Sequence, residues 1–524
     1  AYNGSIYRGD SSFDIDNPFF DPATPITGNP PGAACSPTAC NPAFGRMSLW
    51  PDNNANAATA TMGADLPWKS RYMGTASYTM MRQNDAYLPF TANGLITGPI
   101  SGQPPTSTAA LPFTSLNGSI NTILSNNVVT TQLTPNLKSK LAYRYYDYDN
   151  GTPAQFFGSW VGTDSVTDTT EPKLAIPVSY TKQNGLAELI WTPLRGLTAG
   201  AQYGYERYAW SWNDADHTAE NIGKLYTVYK LNSWLTARGS WQFSERRYGD
   251  YTNAVQQSLR GGWNENYRSP ELANRDQNLG KFQVDVVVVP TVTISPFAGF
   301  RLLDYKTDAF GARELGILKD DSWNAGAELI WAPTRHTQIM LSYTYDNAQK
   351  RIVGGGGTTG LATNTWDSNV DDSTNTFTAA LKQVLIEDKL DLKMSYVYSR
   401  SNGSWTTVPF FYNGYVPNAN PLDDPNPNYP DTRITFQRLD AILTYKMDPG
   451  FVRQMGWRGE ALVKARYAFE RNSVDDWQIN DMQPYMFVSP FSSGVGGTQN
   501  MVWLAGNNPN YNVHLLGAAL VLKW

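Results

Sequence analysis

The reactive side chains of this 524-residue chain are few and far apart. It has three histidines (His217, His336 and His514) and two cysteines (Cys35 and Cys40), so no run of His and Cys ligands can gather around a metal. No Cys-x-x-Cys-His occurs, which excludes covalent attachment of c-type haem, and no P-loop or G-x-S-x-G is present. Cys35 and Cys40 bracket Ser-Pro-Thr-Ala in a Pro/Gly-rich stretch. In an exported protein such a pair forms a local disulfide, and a redox-active pair is the other chemistry the spacing allows. Asp371-Asp372 and Asp423-Asp424 could gather Ca²⁺ through carboxylate oxygens, or stand as solvated loop charges. Nothing here assembles a catalytic set, so the chain is not expected to be an enzyme.

Composition narrows the class. Only 17% of positions are charged, where about 25% is usual in soluble domains, and 68 Tyr, Phe and Trp residues stand in their place. So many aromatics exclude a disordered chain. A net charge of −5 lacks the basic footprint of a nucleic-acid binder. The apolar runs, such as Val286 to Val289, are short and fall far below the roughly 18 residues that a membrane-spanning helix needs.

Two-residue alternation recurs throughout, the signature of strands with one apolar and one polar face. Leu137, Ser139, Leu141, Tyr143 and Tyr145 oppose Lys138, Lys140, Ala142 and Arg144. Leu390, Leu392, Met394, Tyr396 and Tyr398 oppose Asp391, Lys393, Ser395 and Val397. Short turns are expected near Pro67, Pro135, Pro193, Asn232, Pro290, Pro333, Glu387 and, more loosely, between Met447 and Gly456. Polar loops at 84–116, 149–173, 249–276, 348–373, 402–432 and 472–510 alternate with them. Strands joined by short turns on one side and long loops on the other describe a transmembrane barrel with periplasmic turns and extracellular loops. A soluble β-sandwich would use strands of about five or six residues, shorter than these.

Eight hairpins are predicted: 55–83, 117–147, 174–210, 221–248, 279–305, 321–347, 374–400 and 434–470. With a first strand inside 1–16 and a closing strand 511–524 they make 18, an even number as closure requires. The fold class is therefore all-β, one large antiparallel outer-membrane barrel over 1–524. The heptad Ala187-Glu188-Leu189-Ile190-Trp191-Thr192-Pro193 returns as Ala327-Glu328-Leu329-Ile330-Trp331-Ala332-Pro333, one hairpin design used twice. Trp191, Trp331 and the terminal Trp524 are expected at the membrane interface, where aromatic girdles sit. His514 falls on the lipid face, as a packing or interface residue.

The polar faces would line the lumen. The candidates are Lys138, Lys140, Arg144, Glu188, Arg238, Lys281, Asp285, Arg301, Glu328, Asp391, Lys393, Arg438, Asp440, Glu460, Lys464 and Arg466. Both signs are interleaved, which suits a weakly selective aqueous pore or a surface gripping another protein by matched polar contacts.

Three segments carry a family resemblance. They are Ser12-Phe13-Asp14-Ile15-Asp16-Asn17-Pro18-Phe19, Pro51-Asp52-Asn53 running into Ala57, Thr59 and Thr61, and Asn508-Pro509-Asn510-Tyr511-Asn512-Val513-His514 before the terminal aromatic. With the barrel rhythm they resemble the MtrB/PioB family of outer-membrane barrels. The resemblance implies an insulating sleeve for a periplasmic multihaem, decahaem-type c-type cytochrome, with an extracellular multihaem cytochrome as a further partner and outer-membrane lipids around the wall. On that basis the haems belong to the partner, the process is electron transfer across the bacterial outer membrane, and a diffusion porin for small solutes is the alternative. Family members have about 26 strands, against 18 here, and many carry a Cys-x-x-Cys near the mature N-terminus that this chain lacks. The expectation is that four hairpins precede residue 1, so that the intact mass would exceed 58.2 kDa.

Overall fold

The structure is a computed structural model. It describes the chain apart from residues 1, 10–11, 17–43, 93, 95–98, 163–165, 169–171, 253–267, 307–314, 357–363, 412–428, 455, 458, 478–479, 481–484, 489–498, 503–509 and 524. Alternation produces strands wherever it was predicted, and 18 of them pair into one antiparallel sheet. In chain order these are β1 (Tyr2–Tyr7), β2 (Asn53–Leu66), β3 (Ser70–Gln83), β4 (Gly118–Thr134), β5 (Leu137–Asn150) and β6 (Tyr180–Leu194). There follow β7 (Leu197–Trp210), β8 (His217–Lys230), β9 (Leu235–Tyr248), β10 (Asn274–Val289), β11 (Val292–Lys306) and β12 (Gly316–Thr334). The last six are β13 (Thr337–Gly356), β14 (Asn364–Ile386), β15 (Leu390–Phe411), β16 (Thr432–Lys446), β17 (Glu460–Asp475) and β18 (Tyr511–Lys523).

Every registered pairing joins strands consecutive in this order, from β1 with β2 to β17 with β18. The predicted closure is not seen, because β1 and β18 form the two edges and do not pair with each other. β1 covers only Asn53–Ala58 of β2. The segment Ser12–Asp16, placed by the sequence within reach of the first strand, pairs instead with Phe44–Ser48 as a separate hairpin.

Tight connections sit where Pro, Asn and Gly were found. Between β2 and β3 a three-residue turn, 67–69, joins the paired Leu66 and Ser70, and in it Trp68 and Lys69 both adopt left-handed conformations (φ 58° and 54°). Between β6 and β7, Gly196 has φ +88° and a Cβ there would lie 2.5 Å from the Lys230 carbonyl oxygen, so only glycine fits. The loose connection after β16 contains a short helix, α1 (Pro449–Gln454).

The loop at 348–373 is a correction. β13 continues to Gly356 and β14 starts at Asn364, so Asp371 and Asp372 lie in a strand. Likewise β15 runs to Phe411, into the predicted loop 402–432. A strand of 23 residues tilted by about 40° rises roughly 58 Å, about twice the apolar band of an outer-membrane barrel. Above the membrane both faces meet water, and the apolar alternation that betrays a strand disappears.

The usual buried core is small. Ala273, Leu303 and Tyr305 pack together at the outer end of β10 and β11, with Ile317 against them. Most large apolar side chains lie on the other face of the sheet and are exposed, including Leu141, Leu189, Leu225, Phe282 and Tyr343. That inversion is what a lipid-facing surface requires.

Candidate functional site

Register converts one-strand alternation into a surface. Lys140 pairs with Glu188, Glu188 with Gln202, Gln202 with Lys224 and Lys224 with Gln242, one row across five strands. A second row runs Arg144, Asn184, Glu206, Glu220, Arg246, Arg275. A third joins Ser295, Glu328, Ser342, Thr378, Val397, Arg438 and Glu470. Followed this way, all sixteen charged candidates project from the same face of the sheet, with Lys138 opposite Ile190, Arg301 opposite Ser322, and Lys464 opposite Thr444. Trp191 and Trp331 project from the opposite face at its short-turn end and are about half exposed. Trp524, Cys35, Cys40, Asp423 and Asp424 lie outside the described residues.

Glu188 anchors the first row and is 8% exposed. Its carboxylate accepts hydrogen bonds at 2.7 Å from Gln202 Nε2 on β7 and at 2.7 Å from the Tyr226 hydroxyl on β8. To reach it, the Tyr226 ring must cross β7. It does so over Gly200, where an added Cβ would lie 2.1 Å from the ring. Both donors meet the same oxygen, Oε1, and charge-assisted bonds of this kind fix the carboxylate in place.

Elsewhere charges meet in pairs. Arg275 reaches Glu220 at 2.8 Å and Arg301 reaches Asp320 at 3.1 Å. Arg238 binds Asp285, whose carboxylate also accepts from Gln283 Nε2 at 2.8 Å. On β16 and β17, Arg438 and Arg466 converge on Asp440, and Arg438 also reaches Glu470 at 3.4 Å. Lys446 and Lys523 share Glu460, at 2.7 and 3.9 Å. Most of these groups are partly exposed, so water and salt screen the pairs and each adds little to stability. The pairs tie long side chains to neighbours on the same face of the sheet.

Aromatic rings extend this face at the outer end. Tyr148 stacks on Tyr180 (4.8 Å, 10°), Tyr180 meets Tyr208 edge-on (5.1 Å), and Tyr208 contacts Trp210 (4.2 Å). Nearby, Arg246 donates to the carbonyl oxygens of Ala273 and Pro270, which pins the segment Arg268–Ala273 against the charged face. Arg268 itself lies over the Tyr251 ring at 4.3 Å, and burial pushes the Tyr251 phenol above its ordinary value.

Sequence reasoning missed Tyr226, Gln202, Lys224, Glu206, Glu220, Arg246, Arg275 and Asp320. Alternation marks them as polar-face positions only once the register of neighbouring strands is known. The paired-aspartate cation site finds no support in the geometry. Asp371 and Asp372 are consecutive in a strand and so point to opposite faces, and Asp371 already accepts from Asn347 at 2.9 Å and Gln349 at 2.7 Å. Among the described residues no group of three or more His, Cys, Asp or Glu side chains could hold a metal ion. His514 lies beside Phe469 on the apolar face and meets the Tyr467 hydroxyl at 2.9 Å through Nδ1.

A family match covers the whole chain. Residues 1–524 match the family model described as outer membrane beta-barrel porin, MtrB/PioB. Outer membrane protein MtrB of Shewanella baltica (strain OS185) is 24% identical over 418 residues, 77% of this chain and 52% of that protein. The chain thus spans about half the length of this curated relative. Among solved structures, a point mutant of the ferric enterobactin receptor PfeA of Pseudomonas aeruginosa aligns with a TM-score of 0.40 at 9% identity, covering 89% of this chain and 77% of the receptor. The siderophore receptor PiuA of Acinetobacter baumannii aligns with 0.33 at 9%, covering 90% and 79%. An apolar outer face, a charged opposite face, hairpin-by-hairpin connectivity and a match along the whole sequence place this chain in the MtrB/PioB family of outer-membrane β-barrel porins.

Proposed function

We propose that the charged face lines the lumen and that the barrel sheathes a multihaem c-type cytochrome, carrying electrons across the outer membrane through the partner's haems. The observation that carries this reading is the wall itself. One face is apolar and aromatic for lipid, and the other is a continuous field of side chains tied together by pairs such as Arg301–Asp320 and Arg275–Glu220. A mixed-charge wall offers polar contacts to a folded protein over a wide area. The chain has no Cys-x-x-Cys-His, so the redox groups must belong to that protein. The wall's task is to exclude lipid from the path and to hold the haem protein at a fixed depth. An outer-surface multihaem cytochrome would then receive or supply electrons at the long-loop end. Calcium held in the extracellular loops remains part of the proposal only for residues other than Asp371 and Asp372.

A second reading, a diffusion porin, draws on the segment Arg268–Ala273, which Arg246 ties onto the charged face near the long-loop end, the place where a constricting segment would act. One experiment separates them. The barrel is purified from its native membrane in mild detergent and its visible spectrum and haem stain are recorded. A Soret band with close to one multihaem chain per barrel supports the sheath. A colourless barrel that conducts ions in planar bilayers overturns it in favour of the porin.

A further inference from the structure

The charged face is not uniform. On β16 and β17 both arginines named above have a carboxylate within reach, and Lys464 is a single cation on this face without an ion pair among the described residues. On β8 to β11 it is different. Lys224, Arg238, Lys281 and Arg301, one from each of four consecutive strands, line a single depression of about 790 Å³. Register places them close together. Lys224 and Arg301 share the row Lys224, Gln242, Leu279, Arg301, while Lys281 and Arg238 lie one and two steps further along in successive rows on the same face. Four strands spaced by about 4.8 Å make this patch roughly 15 Å wide, the width of a protein surface feature rather than of one ion.

Two of the four cations have carboxylates of their own, Arg238 with Asp285 and Arg301 with Asp320, yet nearly half of each side chain remains exposed. The two lysines have no ion-pair partner among the described residues. Lys224 lies 5.9 Å from the Tyr226 ring, and Lys281 is exposed. Asp346 and Asp372 stand on the far edge, two and three strands beyond Arg301. The floor is cut low by small side chains, Ser240, Gly299 and Ser322, so the cations stand around a hollow. All this occurs in a chain whose net charge is −5.

We infer that this depression is the seat of an acidic, carboxylate-rich patch on the protein held in the lumen, and that it sets the rotational register of that protein within the barrel. The inference rests on the sheath reading and adds the chemistry of the contact. Charge complementarity of this kind selects orientation more than it adds affinity, and salt weakens it.

The test uses the native complex. Wild-type barrel, Lys224→Gln/Lys281→Gln and Lys224→Glu/Lys281→Glu are purified from the membrane with whatever they hold. Each is washed with rising KCl, and the haem-to-barrel ratio is followed. Heat-modified gel mobility confirms that each barrel is folded. Neither lysine forms an ion pair among the described residues, so the glutamine variant leaves Asp285 and Asp320 paired and reads the contact even where the reversal does not assemble. The expected result is that the glutamine variant releases haem protein at about threefold lower KCl than wild type, and the reversal at lower KCl still. Wild type carrying haem with the same release profile as the glutamine variant overturns the inference while leaving the sheath intact. A wild-type barrel without haem overturns the sheath, and this seat with it.

Discussion

At the scale of single residues, the contact between Tyr226 and Glu188 depends on an absence, the missing side chain of Gly200. The tyrosine bridges strands that are not neighbours, and any Cβ at Gly200 displaces its ring. Tyr226→Phe is expected to destabilise the barrel by about 1–2 kcal/mol, because a largely buried carboxylate loses one of its two donors. Gly200→Ala should cost a similar amount by moving the same ring. Both changes break one contact, so the double variant should cost little more than the worse single one. Guanidinium unfolding in lipid vesicles, followed by tryptophan fluorescence, gives the three values. Simple additivity would count against the bridge. None of this was visible along the chain. Alternation assigns Glu188 to the polar face, but its partners come from two other strands and need the register.

At the scale of elements, the strands were legible where lipid demands alternation and illegible above it. Leu390 to Tyr398 could be read at once, whereas Asn402 to Thr407 carries polar residues on both faces and still belongs to β15. The extended hairpins predict a labelling pattern in intact cells. In a Cys35→Ser/Cys40→Ser background, Asn369→Cys should react with a membrane-impermeant maleimide added outside. Glu387→Cys, in the turn between β14 and β15, should react only after the outer membrane is permeabilised. The reverse pattern would invert the topology. The connection between β7 and β8 is closed by one carboxylate. Asp216 accepts from the backbone N–H groups of His217 and Asp250, both at 2.8 Å, and meets His217 Nδ1 at 2.9 Å. Burial pushes its pKa up, but these hydrogen bonds and the His217 charge outweigh it, and the net position is below the ordinary 3.8. A depressed carboxylate stabilises the fold above its unfolded pKa, and that contribution fades as pH falls through the folded value. Wild type should therefore resist pepsin at 211–216 at a pH above the ordinary carboxylate range and lose that resistance as the medium is made progressively more acidic, while Asp216→Asn is cut in both conditions. Equal cleavage of the two proteins at the higher pH would show that the clasp carries no stability.

At the scale of the whole molecule, the strand count and the order of pairing were legible, and the closure was not. Alternation and turn residues specify neighbours that are adjacent in the chain. The meeting of the first and last strands leaves no such mark, and in the structure β1 and β18 stay apart. The charge pattern shows the same divide between local and global information. The mixed signs were readable, but their sorting into ion pairs on β16 and β17 and a cationic hollow on β8 to β11 required the sheet. The repeated Ala-Glu-Leu-Ile-Trp segment occupies equivalent places in β6 and β12, and in both the register to the next strand slips directly after the tryptophan, between Trp191 and Leu194 and between Trp331 and Thr334. In its backbone pairing each hairpin thus joins only the strands before and after it. Copying or deleting one changes the girth by two strands, preserves the even count and the antiparallel order, and leaves the register inside every other hairpin as it was. In evolutionary terms the circumference of such a wall is adjustable in fixed steps, and its bore can follow the size of whatever it encloses.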